Sequence, residues 1–488
     1  MSEKVYDIAI IGGGPGGYVA AIRAAQMGAK VALIEMERVG GCCLNRGCIP
    51  TKAMVHQAEV YQQMLKSAEY GLPIDGAVRI DFPRFMQRVD EVTETLVSGV
   101  EELIKGHAID EYRGIATIVR PGLMRVIVQE GGAYQIDRRG LPSLGEVPDS
   151  AIREVTAKKI VVATGSKSAR APIPGNDLPG VLASRELLRV KELPRSMVII
   201  GASVVGMEFA CIFNALGVEV NVLARRTFLK GADDKLVKRF RPLAARQGIK
   251  ITQGVDFREI AQADDGLLRV GYEYKGQVMH AEGQIVLLAT GRDPYTANLG
   301  VGELGLEMDG RKIVANERLE TSIPDVYAIG DVTGGYMLAH VASYEGEVAV
   351  ENALGHERIA DYSGVHNCIF TMPEIAAVGL TEEQAREQGV DYVVERFPFA
   401  INGRALGMGE TEGQVRMICE KGSGKILGLH IMGARANDIA AEGAVAIRAG
   451  LTAKDLADTI HAHPTLPETI MEAAKAVAYG EAIHYRKV

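Results

Sequence analysis

Residues 5–35, VYDIAIIGGGPGGYVAAIRAAQMGAKVALIE, decide the fold. VYDIAII is a short apolar run rich in β-branched residues, the pattern of a buried strand. The glycines that follow put Gly12, Gly14 and Gly17 in the G-x-G-x-x-G positions. A helical pattern comes next, then a second strand, VALIE, ending on Glu35. Spaced glycines alone are a weak signal. Between strand and helix, with an acid closing the second strand, they describe a dinucleotide-binding unit. The glycines let the backbone approach a pyrophosphate at the helix N-terminus, and Glu35 can accept hydrogen bonds from a ribose.

The unit recurs. Residues 197–226, MVIIGASVVGMEFACIFNALGVEVNVLARR, align with it without a gap. Gly12, Gly17, Gly28 and Val31 fall on Gly201, Gly206, Gly217 and Val220. An internal duplication, and hence a second dinucleotide fold, is the natural explanation. Two positions differ in chemistry. Gly14 falls on Ser203, whose side chain either crowds the phosphates or offers them its hydroxyl. Glu35 falls on Ala224, followed by Arg225 and Arg226. Losing the acid and gaining arginine favours a ribose 2′-phosphate, so NADP is expected ahead of NAD.

Five residues beyond Glu35 stands GGCCLNRGCIPTK, residues 40–52. Cys43 and Cys48 are separated by four residues. In a continuous α-helix their Cα atoms would lie about 8–9 Å apart, beyond the roughly 7 Å a disulfide tolerates. If they bond, the backbone leaves helical geometry between them, and Gly47 permits that. A helix is expected from the region of Pro50 onward. Thiols at a helix N-terminus have lowered pKa, so easier thiolate formation is expected. The alternatives are a structural disulfide or buried free thiols. Cys211, Cys368 and Cys419 lie alone in apolar stretches and suit a core. No second close Cys or His pair appears at zinc-ligand spacing.

GG-x-CLN-x-GCIPTK resembles the active-site segment of the pyridine nucleotide–disulfide oxidoreductases, with the dihydrolipoamide dehydrogenases nearest. The resemblance implies that Cys43 exchanges with substrate while Cys48 faces FAD. The family usually has Thr where this chain has Cys42. KKIVVATGS matches the turn Ala163-Thr164-Gly165, where the chain leaves the first domain, and IVLLATG, ending on Gly291, closes the second. TSIPDVYAIGDVTGG is similar to the family's second FAD motif and places Asp331 beside the ribitol. MLAHVASYEG follows, with Ala339 next to the isoalloxazine. The resemblance adds Ala116 to the flavin contacts, and sets Lys52 and Glu208 as a pair near the nicotinamide. VLARR is similar to the NADPH-dependent members. In HAHPTLPE, the resemblance makes His463 a general base reaching across a homodimer, with Glu468 orienting its ring. Thr465-x-x-Glu468 is also a capping-box pattern, and His461 is a neighbouring decoy.

The implied architecture is α/β, with two Rossmann-like domains and a C-terminal α+β dimerisation domain. Residues 1–158 form the FAD domain, completed by the central segment 286–355. Residues 159–285 form the NAD(P) domain and 356–488 the interface domain. The segment 130–155, GGAYQIDRRGLPSLGEVPDSAIRE at its heart, is longer than the family usually has and reads as a surface insertion or extended hairpin. The implied reaction oxidises a dihydrolipoyl group, on a lipoylated carrier protein or a small dithiol, and passes electrons to NAD(P)⁺. The alternatives are an NADPH-dependent disulfide or metal reductase, or a flavoprotein subunit with a weakened coenzyme site. The chain ends HYRKV, without the terminal cysteine pair of a mercuric reductase.

Bulk composition agrees with this reading. The chain has 488 residues, 47% hydrophobic and 24% charged, which suits about three soluble domains. A formal charge of −8 gives no reason to expect nucleic-acid binding. No apolar run is long enough to span a bilayer. The N-terminal MSEKVYDIAIIGGG reaches glycines too soon for a signal peptide. A cytoplasmic protein without a metal site is expected, and six cysteines there are catalytic or buried rather than a disulfide framework.

Overall fold

The computed structural model describes residues 4–130 and 132–486; Gly131, within the inserted segment, lies outside them. The chain forms two compact units. One runs to Pro172, takes in Asn176–Leu193 and returns for Leu287–Ala360. The other joins Ile173–Gly175 and Pro194–Val286 to the chain from Asp361 onward.

The first unit is built on the strand Val5–Ile11, which pairs in parallel with Val31–Glu35 on one side and with Ile152–Val162 on the other. Asp110–Arg120 extends the sheet beyond Val31–Glu35, and Val326–Ala328 extends it beyond Ile152–Val162. Leu123–Val128 runs antiparallel between Asp110–Arg120 and the first half of Ile152–Val162. Every residue of Val31–Glu35 is buried, as a central parallel strand requires. The helix Pro15–Gln26 covers the sheet and packs on the helix Ala339–Ala353. A Cβ on Gly346 would lie 2.6 Å from the Gly16 carbonyl oxygen, so this helix pair closes only around glycine.

The segment 130–155 holds a hairpin, followed by a short 3-10 turn and the start of the strand Ile152–Val162. Tyr134–Ile136 and Pro142–Leu144 pair antiparallel, and the Asp137 carboxylate accepts from the amides of Arg139 and Leu141 at the tip.

In the second unit Ser196–Ala202, Glu219–Phe228 and Lys250–Gln253 pair in parallel, the repeat of the opening fold. The C-terminal half is an antiparallel sheet in the order 366–369, 374–379, 426–433, 414–420, 392–398. Ala436–Arg448 packs on its strands Glu374–Gly379 and Ile426–Gly433, and Glu468–Tyr479 on Tyr392–Pro398 and Gln414–Glu420. Arg416 is buried between Asp233, at 3.2 Å, and Glu382, at 2.6 Å. Among the described residues no helix is long and apolar enough to cross a membrane.

Candidate active site

The glycines of the first unit are fixed by contact. Gly12 has φ +108°, where a side chain is strained, and a Cβ on it would lie 2.3 Å from the Ala163 carbonyl oxygen. A Cβ on Gly17 would lie 1.7 Å from the Gly12 carbonyl oxygen. Gly17→Ala should therefore destabilise the unit by roughly 1–3 kcal/mol, read as a lower urea midpoint. Gly14 differs. It is the N-cap of Pro15–Gln26, with no side-chain cap and no acid in the first turn, so the positive helix end is left to a ligand.

Glu35 is only 7% exposed. One carboxylate oxygen accepts from the Gly13 amide at 2.7 Å and the other from the Glu37 amide at 2.8 Å. Burial pushes its pKa up, against the pull of these two amides. A buried carboxylate with only two donors keeps lone pairs for more, and ribose hydroxyls would supply them. Ala116 lies buried on Asp110–Arg120. These residues fit FAD: Gly12, Gly14 and Gly17 would carry the diphosphate, and Glu35 the ribose.

The cysteine segment folds as two helices, Gly41–Arg46 and Cys48–Leu65, broken at Gly47. A Cβ on Gly47 would lie 2.9 Å from the Cys42 carbonyl oxygen, so the break needs glycine. The second helix starts at Cys48 itself, with Pro50 and Lys52 in its first turns. All six cysteines are thiols, with Cys211 and Cys419 buried and Cys368 half-buried. Cys43 and Cys48 are close, and the expected easy thiolate is corrected at Cys43. Its thiol is pushed up, first by its hydrogen bond with Cys48 and then by burial, with Lys52 pulling the other way. The cause is local: the neighbouring sulfur and burial both oppose charge on Cys43.

Cys42 faces a group that sequence reading missed. Arg292 donates to its Sγ at 3.5 Å, to the Ser166 hydroxyl at 2.7 Å and to the Ser166 carbonyl at 2.7 Å. Ser166 in turn donates to Asp331, which lies 3.5 Å from the Arg292 Nε. The turn at Thr164–Ser166, the cysteine segment and the Asp331 motif thus meet at one arginine. Gly291, just before it, has φ +117°, which favours glycine. Asp331 follows the strand Val326–Ala328 in a short 3-10 turn whose Gly330 amide donates to Glu345 at 2.6 Å. Ala339 opens the helix after it. No local signal marks Arg292, Ser166 or Glu345; their partners are distant in sequence.

In the second unit Gly201 has φ +111°. Ser203 is the N-cap of Val204–Ala215, and its hydroxyl accepts from the Gly206 amide at 3.4 Å. Gly14, its counterpart in the opening unit, has no side chain to cap its helix. Glu208 is buried and accepts from the Phe370 amide at 3.0 Å. Ala224 is buried, while Arg225 and Arg226 are exposed on a strand that continues to Phe228. Arg225 lies 5.8 Å from the centre of the Phe257 ring.

His463 and Glu468 come together. The ring Nδ1 is 2.9 Å from one oxygen of Glu468, and the other oxygen accepts from the Thr465 amide at 2.8 Å. Thr465-x-x-Glu468 is not a capping box: the helix starts at Glu468, its N-cap is Pro467, and the Thr465 hydroxyl donates to the Ala462 carbonyl instead. Burial acts to raise the Glu468 pKa, but the Thr465 amide and His463 prevail and lower it. The carboxylate stays ionised at neutral pH, and its bond to the imidazole is lost only as pH falls through the lowered value. The His463 side chain is 79% exposed. His461 is instead tied up, with its ring nitrogens 2.9 Å from Glu442 and 2.9 Å from the Thr459 carbonyl. Among the described residues no group of three or more His, Cys, Asp or Glu is placed to hold a metal ion.

Comparison with known proteins agrees with this geometry. The family model of the pyridine nucleotide-disulphide oxidoreductases matches residues 6–346, and that of their dimerisation domain matches residues 365–474. The chain belongs to this family, and is an FAD-dependent oxidoreductase working with a pyridine nucleotide. Within it, the chain is similar to dihydrolipoyl dehydrogenases. That of Bacillus subtilis is 38% identical over 99% of this chain and 98% of its own. That of Halobacterium salinarum is 39% identical over 98% and 97%. Among solved structures, the HOCl-induced flavoprotein disulfide reductase RclA from Escherichia coli, as its Cu(II) complex, matches with a TM-score of 0.83 and 29% identity over 98% of this chain and 100% of its own.

Proposed function

We propose that the protein is a homodimeric, cytoplasmic dihydrolipoyl dehydrogenase that oxidises dihydrolipoyl groups on a carrier protein through a Cys43–Cys48 disulfide. The observation that carries this reading is a prepared base. His463 is exposed and held by Glu468 through one ring nitrogen, which leaves the other to face a substrate. Only thiolates attack disulfides efficiently, so oxidation of a dithiol through a disulfide needs such a base.

In the forward direction a substrate thiolate attacks Cys43 of the disulfide. The Cys43–Cys48 bond breaks, a mixed disulfide forms at Cys43, and Cys48 leaves as thiolate. His463, reaching Cys43 of the other subunit, takes the proton from the second substrate thiol. That sulfur attacks the first, releasing the cyclic disulfide and leaving Cys43 reduced. FAD bound at the first unit supplies a two-electron acceptor between the dithiol and the nicotinamide coenzyme. Asp331 and Ala339 line its flavin end in this reading, and Lys52 and Glu208 serve the nicotinamide side.

Arg225 and Arg226, exposed after a strand that lacks the terminal acid, support NADP alongside NAD. Ser203 limits either coenzyme by covering the Gly206 amide. Ser203→Gly should lower the coenzyme KM by roughly 3–10-fold, the worth of one recovered hydrogen bond, in steady-state assays with NAD⁺ and NADP⁺. The reading as a whole is tested by turnover of dihydrolipoamide with each coenzyme. Activity with either one supports it. Absence with both, in flavin-loaded protein, removes it in favour of a disulfide or metal reductase.

A further inference from the structure

The inserted hairpin does not hang free of the first unit. Tyr134 is 1% exposed, and its hydroxyl donates to the Met36 carbonyl at 2.8 Å, one residue past Glu35. At the tip, Gly140 rests against Arg185; a Cβ there would lie 2.3 Å from its Nη1. Arg185 in turn grips Glu37 with both terminal nitrogens, at 3.0 and 2.8 Å. Glu37 also takes Arg46 at 2.8 Å, from the helix that carries Cys43. The side chains of the two arginines and Glu37 are only 12–14% exposed. Arg185 Nε is buried and has no partner among the described residues. A buried guanidinium N–H without an acceptor is costly, and a bound ligand atom would satisfy it. Tyr134 is pushed up to about 12, first by burial, with the carboxylates of Glu35 and Glu37 adding to it.

Two successive anchors therefore fasten the hairpin to Met36 and Glu37, immediately after the residue that marks the ribose. We propose that the inserted hairpin, with Tyr134 and Arg185, is an added wall of the FAD site that retains the adenosine end of the cofactor. It rests on the reading of the first unit as the FAD site. The wall also joins that end of the site to the redox helix through Arg185, Glu37 and Arg46. Its ligand is the adenosine moiety, a flat base with ring-nitrogen acceptors, rather than the flavin.

Tyr134→Phe keeps the bulk and removes the anchor to Met36. Release of FAD from the holoprotein, followed by the fluorescence of free flavin, should become roughly 3–10-fold faster. Affinity of the apoprotein for FMN, which lacks the adenosine, should be unchanged. In the wild type, amide exchange across residues 132–145 should slow when FAD is bound. An unchanged release rate with unchanged exchange overturns the proposal. Equal weakening of FAD and FMN also overturns it, since general loosening explains that result. A wild-type chain that takes up no FAD fails at the earlier step, the assignment of the first unit.

Discussion

Turnover of dihydrolipoamide by His463→Ala is expected to fall by roughly 10²–10⁴-fold, the usual worth of a general base. Reduction of bound flavin by the nicotinamide coenzyme should proceed as before, because that half of the reaction needs no proton taken from the dithiol. A proton must leave the second substrate thiol, and an imidazole with one nitrogen open can take it. His463 has one; His461 has both nitrogens engaged. Glu468 fixes the ring through Nδ1, so its loss should harm kcat more than KM. Hybrid dimers locate the base. A Cys43→Ser chain paired with a His463→Ala chain holds one complete site if the imidazole serves the other subunit. Such hybrids should recover about half of the wild-type rate expected from one site in two. Hybrids as inactive as either parent would place the base within its own chain, or exclude it.

The second large effect is at the sulfurs. Cys43→Ser should reduce dihydrolipoamide turnover by more than about 10⁴-fold, since serine forms no mixed disulfide and its alkoxide is not accessible at neutral pH. Cys48→Ser should be as inactive for a different reason: Cys43 can still be attacked from outside, but no disulfide stands ready to accept electrons. Alkylation separates the two. Iodoacetamide should label Cys43 in Cys48→Ser faster than in the reduced wild type, because removing the neighbouring thiol removes the first cause that holds the Cys43 proton. Equal labelling rates would mean that Cys48 does not oppose charge on Cys43.

Much of the fold could be read from local pattern. The strand, glycines, helix and closing acid of residues 5–35 are all short-range features, and the structure sets them in parallel register with the Ile152–Val162 strand. A break at Gly47 is expected if Cys43 and Cys48 bond, and the structure has it with both sulfurs as thiols. What escaped reading was set by distance along the chain. Glu37 and Arg185 are 148 positions apart, and Cys42 and Arg292 are 250 apart; no local spacing announces either contact. The Cys43 thiol was misjudged because the helix terminus was weighed without the second sulfur and the burial that accompany it. Ser203 reads in sequence as crowding the phosphates or offering them its hydroxyl; its hydroxyl also caps the helix, a role that Ser takes readily at such a position and that local spacing does not announce.

The central claim is that Cys43 and Cys48 form a redox couple in electronic contact with FAD, and an anaerobic reductive titration tests it most directly. The wild-type holoprotein should accept about four electrons per FAD, two for the disulfide and two for the flavin, and Cys43→Ser about two. A wild-type protein that accepts only two would contradict the account.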